Sequence, residues 1–283
     1  MNARNPRESG WFVGIDPGDI EGAAERIENR QAAEPGDWPG LAVGAGFVEN
    51  RERYYDQLRE ATIHAARAEV TRRESADDRQ LAHAIRALDD CTQTSNELAE
   101  RVAEWAGTHD EAARVEMEYV RELAAADAED AVERRISALA TRAVALDDEA
   151  EALRAFVERS APDVAPNLTA LAGPVLAARL ISLAGGLGSL AKKPAGTVQV
   201  LGAEDALFAH LRGRASSPKH GVIYTHEYVR GTAPGERGSA SRALAGKLTI
   251  AARVDHYSGE RKPELDEQLD ERIATIRERG DGE

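Results

Sequence analysis

"SADDRQLAHAIRALDDCTQTSNELAERVAEWA", residues 75–106, is the stretch that decides the fold of this 283-residue chain. Apolar and small residues recur in it at alternating spacings of four and three: Leu81, Ile85, Leu88, Thr92, Ser95, Ala99, Val102 and Ala106. This alternation over four heptads is typical of a coiled-coil seam. The stretch therefore predicts a long helix that buries a narrow stripe, with "SADD" at its start.

A second run further along the chain has the same spacing: Val132, Ile136, Leu139, Ala143, Leu146, Ala150, Leu153 and Val157. The segment "WAGTHDEAA", residues 105–113, separates the two runs, so an antiparallel helical hairpin is the economical topology. We expect its seam to contain Leu81, Ile85, Leu88, Val132, Ile136, Leu139, Leu146 and Leu153. The hairpin either buries itself alone or pairs with a copy of itself, and the pattern favours the homodimer.

The remaining segments flank this arm and complete a mainly α architecture. Residues 1–50 read as a small α/β unit, with strands at "GWFVGIDPGD" and "GLAVGAGFV", a helix near residues 19–31, and Trp11, Phe12, Trp38 and Phe47 as core. The arm is expected over residues 51–160, beginning with a helix at 51–73. Prolines in "APDVAPN" end it. A compact helical domain follows over 161–262, and 263–283 form an acidic amphipathic helix.

Positive charge is concentrated in one segment of an acidic protein. The formal charge is -14, yet residues 161–262 carry thirteen lysines and arginines against seven acids, a net charge of +6. All five lysines follow residue 191, beside 31 arginines in the chain. A basic module indicates a polyanionic partner, since neutralising phosphates releases counterions; the alternative is an internal contact with the acidic arm. Few lysines and many surface acids favour a halophilic, high-salt habitat.

Signals of catalysis, metal binding and membrane insertion are weak. The glycines of "GGLG", residues 185–188, fit no phosphate-binding motif, and no Ser-His-Asp order or metal-ligand spacing is evident. We therefore expect no catalytic site, no metal and no cofactor. Cys91 is the only cysteine, which favours a reducing, cytoplasmic location, and charges and prolines argue against a membrane span.

Several strings in the basic segment resemble one family. "APNLTALAGPVLAARLISLAGGLGSLAKKPAGTVQVLGAEDALFAHL", "SSPKHGVIYTHEYV" and "SRALAGKLTIAARVD" resemble the Nop domain of the core proteins of box C/D guide ribonucleoproteins. "YYDQLREATI", "LAHAIRALDD" and "SNELAERVAEWAG" resemble the coiled-coil arm of that family. The resemblance, taken with the composition, indicates an archaeal and haloarchaeal member whose N-terminal domain is shorter than usual.

This resemblance implies a scaffold instead of an enzyme. Members of the family hold a kink-turn of guide RNA jointly with a small kink-turn-binding protein of the ribosomal eL8 type, and they dimerise through the coiled coil. They carry fibrillarin, which uses S-adenosylmethionine to methylate ribose 2'-hydroxyls of rRNA or tRNA. Two alternatives are a Nop-domain RNA-processing factor unconnected with methylation and a purely structural coiled-coil protein.

The same resemblance suggests which residues touch RNA. We expect contacts from Lys192, Lys193, Thr197, Gln199, Gly202, Glu204, Lys219, Arg242 and Lys247. Lys192 and Lys193, before Pro194, would meet phosphates near the start of a helix. Gln199 could reach a base edge, and Lys219 could reach exposed kink-turn nucleotides. Leu207 and Phe208 are expected to pack inside the protein.

Overall fold

The computed structural model describes residues 10–29 and 36–280, and it divides into two compact units, Met1–Ala76 and Asp77–Glu283. Every regular element in those described residues is helical, which confirms the mainly α class. The two strands expected near the N-terminus are wrong: the first stretch forms turns, and most of the second lies in a helix. Asp37 determines that helix, because its carboxylate accepts from the Gly40 amide and caps the first turn.

The N-terminal unit contains three helices: α1 (Ile20–Asn29), α2 (Trp38–Gly44) and α3 (Arg51–Glu74). Residues 30–31 of the expected first helix lie outside the described residues. An aromatic cluster forms the core, as expected, with Phe12, Phe47 and Tyr54 buried and the Trp11 indole donating to the Tyr54 hydroxyl at 3.0 Å. Because α3 packs on α1 and α2, it belongs to this unit. The sequence pattern places the same helix at the start of the arm.

The arm is an antiparallel hairpin of α4 (Asp77–Ala106) and α6 (Ala131–Val164), with a short helix, α5 (Met117–Ala125), between them. Leu81 shares a buried cluster with Ala161, and Val102 shares another with Ile136, so the two long helices run in opposite directions. Near the middle, the Ser95 hydroxyl donates to the Ala143 carbonyl at 3.2 Å. The hairpin topology is as expected, while α5 was not anticipated.

The two sides of the hairpin differ in how far they follow the predicted seam. On α4, every predicted position except Thr92 is buried. On α6, the buried side is mostly alanine, and the predicted residues Val132, Leu139, Leu146 and Leu153 are only half-buried. Ala140, one residue past Leu139, takes the buried place. Small alanines let the helices approach closely, while Val132 and Leu139 pack at the edge of the cluster that includes Val120 of α5.

The C-terminal domain surrounds one long helix, α13 (Arg237–Tyr257). Its other helices are α7 (Pro166–Ala172), α8 (Pro174–Ala184), α9 (Leu187–Ala191), α10 (Ala195–Val200), α11 (Glu204–Leu211), a 3-10 turn at Val222–Thr225, α12 (Glu227–Arg230) and α14 (Glu264–Gly280). The amphipathic pattern of α14 is confirmed, since Leu265, Leu269, Ile273 and Ile276 are all buried. Residues 281–283 of that predicted helix lie outside the described residues.

A buried polar network joins the start of α7 to the end of α13. The Asp255 carboxylate accepts from the backbone amides of Asn167 and Leu168 at 3.0 and 2.8 Å, and from the Asn167 side-chain amide at 2.7 Å. The side-chain oxygen Oδ1 of Asn167 in turn accepts from the Lys262 backbone amide at 2.7 Å. The "Asn-Leu-Thr" stretch at 167–169 lies in the first turn of α7, as expected for a helix start. The Asn167 side chain is fully buried and does not face solvent.

No single described helix is both long and apolar enough to cross a membrane. Helices α7 and α8 reach that length and composition only together, and they are bent by 117° relative to each other.

His226 gives the C-terminal domain a pH-dependent contact. Its Nδ1 accepts from the Tyr228 amide at 3.1 Å, so Nε2 carries the proton and donates to the Leu171 carbonyl at 3.0 Å. The bond that Nδ1 accepts requires the neutral ring, whereas the bond from Nε2 does not, and burial lowers the pKa of His226 below its ordinary value. The unfolded chain therefore binds this proton more readily than the folded protein does.

We expect this contribution to stability to be complete above about pH 7 and to be lost as the pH falls through the lowered pKa of His226. The urea midpoint of the wild type should fall between about pH 7.5 and pH 5 by more than that of His226→Asn, which keeps a capping oxygen but does not titrate. Equal pH dependence of the two proteins would show that His226 does not contribute.

Candidate nucleic-acid interface

Lys219 and Arg242 line one open groove of about 590 Å³ on the C-terminal domain. We call it the cationic groove and define it by Gly196, Gln199, Val200, Ser217, Pro218, Lys219, Gly235, Gly238, Ser239 and Arg242. Three residues that the sequence predicted to touch RNA, Gln199, Lys219 and Arg242, thus lie together. They come from α10, from the loop before the 3-10 turn, and from α13.

The loop that carries Lys219 is joined to the end of α10. The amides of Gly221 and Val222 donate to the carbonyls of Gln199 and Leu201, both at 2.8 Å. A Cβ at Gly221 would lie 2.0 Å from the Leu201 oxygen, so only glycine permits this approach. The Gln199 side-chain amide adds a third bond, donating to the Lys219 carbonyl at 2.7 Å.

Two of the glycines that line the groove border open space. A Cβ at Gly196 or Gly235 would meet no atom within 4 Å, so these positions border free space. At Gly238 a Cβ would lie 3.8 Å from Cδ of Lys219, which places the lysine stem against α13, one turn before Arg242. A nucleic-acid backbone can therefore approach the protein main chain here without displacing side chains.

Neither cation of the groove is neutralised by an acid of the described residues. Lys219 and Arg242 are both exposed, and neither makes a salt bridge with any acid in the described residues. Elsewhere the arm pairs its own charges, for example Arg121 with Asp147 and Asp148 at 2.6 Å each. The groove therefore keeps a positive charge for an external anion.

The other predicted contacts lie outside the cationic groove. Lys192 is exposed and Lys193 half-buried at the junction of α9 and α10, where Arg253 donates to the Ala191 carbonyl at 3.0 Å. Thr197 is exposed on α10. Lys247 donates to the Gln268 side chain of α14.

Gly202 and Glu204 form a local turn before α11. The Glu204 carboxylate accepts from the Gly202 amide at 2.9 Å, and Gly202 has a φ of +81°, which favours glycine. Since Glu204 bonds the backbone, the structure gives it a capping role at this turn. Gly202 borders a second and larger groove, of about 840 Å³, next to the loop that carries Lys219.

Helix α11 has no buried residue. The expectation that Leu207 and Phe208 pack inside the protein is wrong: Leu207 is half-buried, and Phe208 and Leu211 are 55% and 71% exposed. The helix lies between two glycines with positive φ, Gly202 and Gly213. A helix with no buried residue that exposes Phe208 and Leu211 is a candidate protein-docking surface.

A stack of three side chains, missed in the sequence, supports the loop from the other side. The rings of His220 and Tyr224 stack at 4.5 Å with an interplanar angle of 22°, and the Arg237 guanidinium lies 5.6 Å from the Tyr224 ring. Arg237 is held by a bond to the Thr232 carbonyl at 3.1 Å. Nothing in the spacing of these residues signals the stack, because Arg237 comes from a different helix.

No group of three or more metal-ligating side chains is present in residues 10–29 and 36–280. Raised tyrosine pKa values are found at packing contacts: a hydrogen bond to Asp270 raises the pKa of Tyr228 to about 12, and burial does the same for Tyr119. The Tyr228 hydroxyl joins α12 to α14, and the Tyr119 hydroxyl joins α5 to Asp110 after α4. Neither tyrosine lines the cationic groove. The geometry thus offers recognition of an anion and supplies no acid-base pair at the groove.

The sequence of this chain is similar to one protein family and to several known proteins. Residues 74–278 match the profile of the Nop family, described as "snoRNA binding domain, fibrillarin". The chain is 53% identical over 122 residues to an uncharacterized NOP5 family protein of Methanocaldococcus jannaschii, covering 43% of this chain and 30% of that protein. It is 40% identical over 146 residues to nucleolar protein 56 of Homo sapiens, covering 49% of this chain and 24% of that protein.

A solved structure shares the fold. A chain of a fibrillarin/Nop5p complex superposes with a TM-score of 0.52 at 25% identity, over 95% of this chain and 99% of that chain. The matched regions span less than a third of the length of the two curated relatives. The Nop profile, however, covers most of this chain, including both the arm and the cationic groove. The chain therefore belongs to the Nop family of snoRNA-binding-domain proteins.

Proposed function

We propose that this protein is a non-catalytic RNA-binding scaffold of a box C/D guide ribonucleoprotein. It holds a kink-turn of guide RNA jointly with a small eL8-type kink-turn-binding protein and recruits fibrillarin, which binds S-adenosylmethionine and performs 2'-O-methylation. The observation that carries this proposal is the cationic groove, in which Lys219 and Arg242 lack acidic partners in the described chain and two glycines border open space.

The chemistry of the groove suits an irregular RNA backbone. Lysine is a compact point charge, while the arginine fork can bind a phosphate with two hydrogen bonds. Open space at Gly196 and Gly235 admits the sugar-phosphate chain. Contacts of this kind position RNA without reading its sequence, which is what a scaffold shared by many guides requires.

Helix α11 supplies the second half of the interface. The exposed Phe208 and Leu211 offer apolar area at one end of the loop that carries Lys219. We place the small kink-turn-binding protein on this helix, so that RNA and partner are held side by side. Binding by this chain alone is then weak, because each partner supplies only part of the contact area.

The arm and the N-terminal unit take the remaining roles in this proposal. Trp105 and Phe156 on the long helices of the arm are 38% and 39% exposed, and a second copy of the chain would cover them in a homodimer. The N-terminal unit carries fibrillarin, by analogy with the fibrillarin/Nop5p complex. The acidic, lysine-poor composition fits a cytoplasmic protein of a haloarchaeon, where salt screens surface charge.

A gel-shift with kink-turn RNA tests the proposal. In about 1 M KCl, the wild-type chain should supershift the complex of RNA with the small kink-turn-binding protein, and it should bind RNA alone much more weakly. Absence of the supershift contradicts the proposed function. Capture of fibrillarin by the purified chain separates a methylation scaffold from a Nop-domain factor of other RNA processing.

The lysine pair beside the groove should contribute less than the groove itself. At about 0.1 M KCl, charges act over about 10 Å. In this salt we expect Lys192→Glu with Lys193→Glu to weaken ternary assembly about tenfold, because both side chains lie one helix junction away from the groove and act by long-range attraction. Light scattering should show an unchanged oligomeric state. Unaltered assembly in the double variant would remove this pair from the RNA-binding surface.

A further inference from the structure

A single hydrogen bond holds the backbone of Lys219 in the described chain, beside the stack of His220, Tyr224 and Arg237. Residues 216–220 make a single hydrogen bond with the described chain, from the Gln199 side-chain amide to the Lys219 carbonyl, at 2.7 Å. The next bonds begin at Gly221 and Val222, and the residues from Leu211 to Ser217 are all exposed. Before this stretch, the Arg214 amide donates to the Ala209 carbonyl and the His210 ring contacts the Ala215 carbonyl, so residues 216–220 are the part of the loop that Gln199 alone holds by a hydrogen bond.

We infer that Gln199 is a positioning residue that acts through Lys219; the inference rests on the proposed function of the cationic groove. By holding the Lys219 carbonyl, Gln199 sets the direction in which the lysine leaves the backbone. The lysine stem then lies along α13 at Gly238, and Lys219 lines the groove together with Arg242. The bond uses one of the two N–H groups of the Gln199 amide, so the expectation that Gln199 reads a base edge stays a prediction beside this role.

The physical gain is pre-organisation. A free lysine loses side-chain and loop entropy when it binds a phosphate, and a loop held in place loses less. Since the Gln199 bond is made before RNA arrives, its effect appears in affinity only if Lys219 is there to use it. Coupling between the two residues is therefore the signature of this role.

The test compares four proteins with the wild type: Gln199→Met, Lys219→Ala, the double variant, and Gln93→Met as a control. Methionine keeps the length of glutamine but cannot donate, and Gln93 is exposed on α4, where its side chain bonds only Glu97 of the same helix in the described chain. Kd for kink-turn RNA with the small kink-turn-binding protein is measured across a range of KCl concentrations. Hydrogen exchange of the amides of the loop reports its order without RNA.

We expect Gln199→Met to weaken binding about 3- to 10-fold and to lower the slope of log Kd against log salt towards that of Lys219→Ala, which loses about one counterion. The double variant should bind like Lys219→Ala alone, and Gln93→Met like the wild type. A Gln199→Met protein with the wild-type slope, or with a full additional loss in the Lys219→Ala background, overturns the inference. A wild type that does not bind the RNA complex overturns the proposed function and this inference with it.

Discussion

Replacing both cations of the groove, Lys219→Glu with Arg242→Glu, is expected to weaken ternary assembly with kink-turn RNA by about 100-fold. Each substitution removes a phosphate contact and adds a repulsive charge in an open groove where no acid of the described chain previously compensated the cation. The slope of log Kd against log salt should fall by roughly two, since about two counterions are no longer released. Fluorescence anisotropy at several KCl concentrations measures both quantities.

The matched control changes the same net charge elsewhere. Arg159 and Arg272 are exposed on α6 and α14, and neither makes a salt bridge in the described residues. Arg159→Glu with Arg272→Glu should alter affinity only through the overall charge, by less than about threefold at high salt. If the control weakens binding as much as the groove variant does, RNA attraction is a property of net charge and the groove has no special role.

The largest effect on folding is expected for Asp255→Ala. This residue is 8% exposed, and its carboxylate accepts three hydrogen bonds, two of them from backbone amides at the start of α7. Alanine leaves those donors buried without an acceptor, which costs about 3–4 kcal/mol in the free energy of unfolding. For a domain of this size the midpoint temperature should fall by roughly 10 °C.

Asp255→Asn separates the hydrogen bonds from packing. Asparagine retains one acceptor oxygen, so this variant should lose less stability than Asp255→Ala, while its NH2 group faces either the Asn167 or the Leu168 backbone amide unfavourably. Urea unfolding of the two variants and the wild type gives the order. A wild-type midpoint in Asp255→Ala would show that the network at α7 does not hold the domain together.

The helical arm could be predicted from sequence because its spacing is regular. On α4 the alternation of four and three residues identified the buried face. On α6 the same arithmetic chose leucines such as Leu139, while the structure buries Ala140 beside α5. Sequence spacing does not show which of two adjacent stripes faces a partner when both are apolar, and α5 was not foreseen.

The N-terminal strands were wrong for a related reason. Short apolar runs such as "GLAVGAGFV" do not distinguish a buried strand from a buried helix by periodicity. Asp37 favours the helix over the strand, because its side chain caps the first turn of α2. A capping residue that precedes Pro39 by two positions was the available signal.

For the site, sequence located the basic segment and three members of the groove, but not its geometry. Lys219 and Arg242 are 23 residues apart and meet because the loop bonds to α10, a contact that no local pattern announces. The conspicuous pair, Lys192 and Lys193, lies outside the groove. Phe208 reads as a core residue by composition, and only the structure shows that α11 has no buried residue.

The most direct test of the RNA-binding groove is ultraviolet crosslinking of the ternary complex, followed by mass spectrometry of the crosslinked peptides. The groove predicts crosslinks from kink-turn RNA to peptides that contain Lys219 and Arg242, with loss of both after Lys219→Glu and Arg242→Glu. Crosslinks confined to other surfaces, with these two peptides unmodified, would contradict the account.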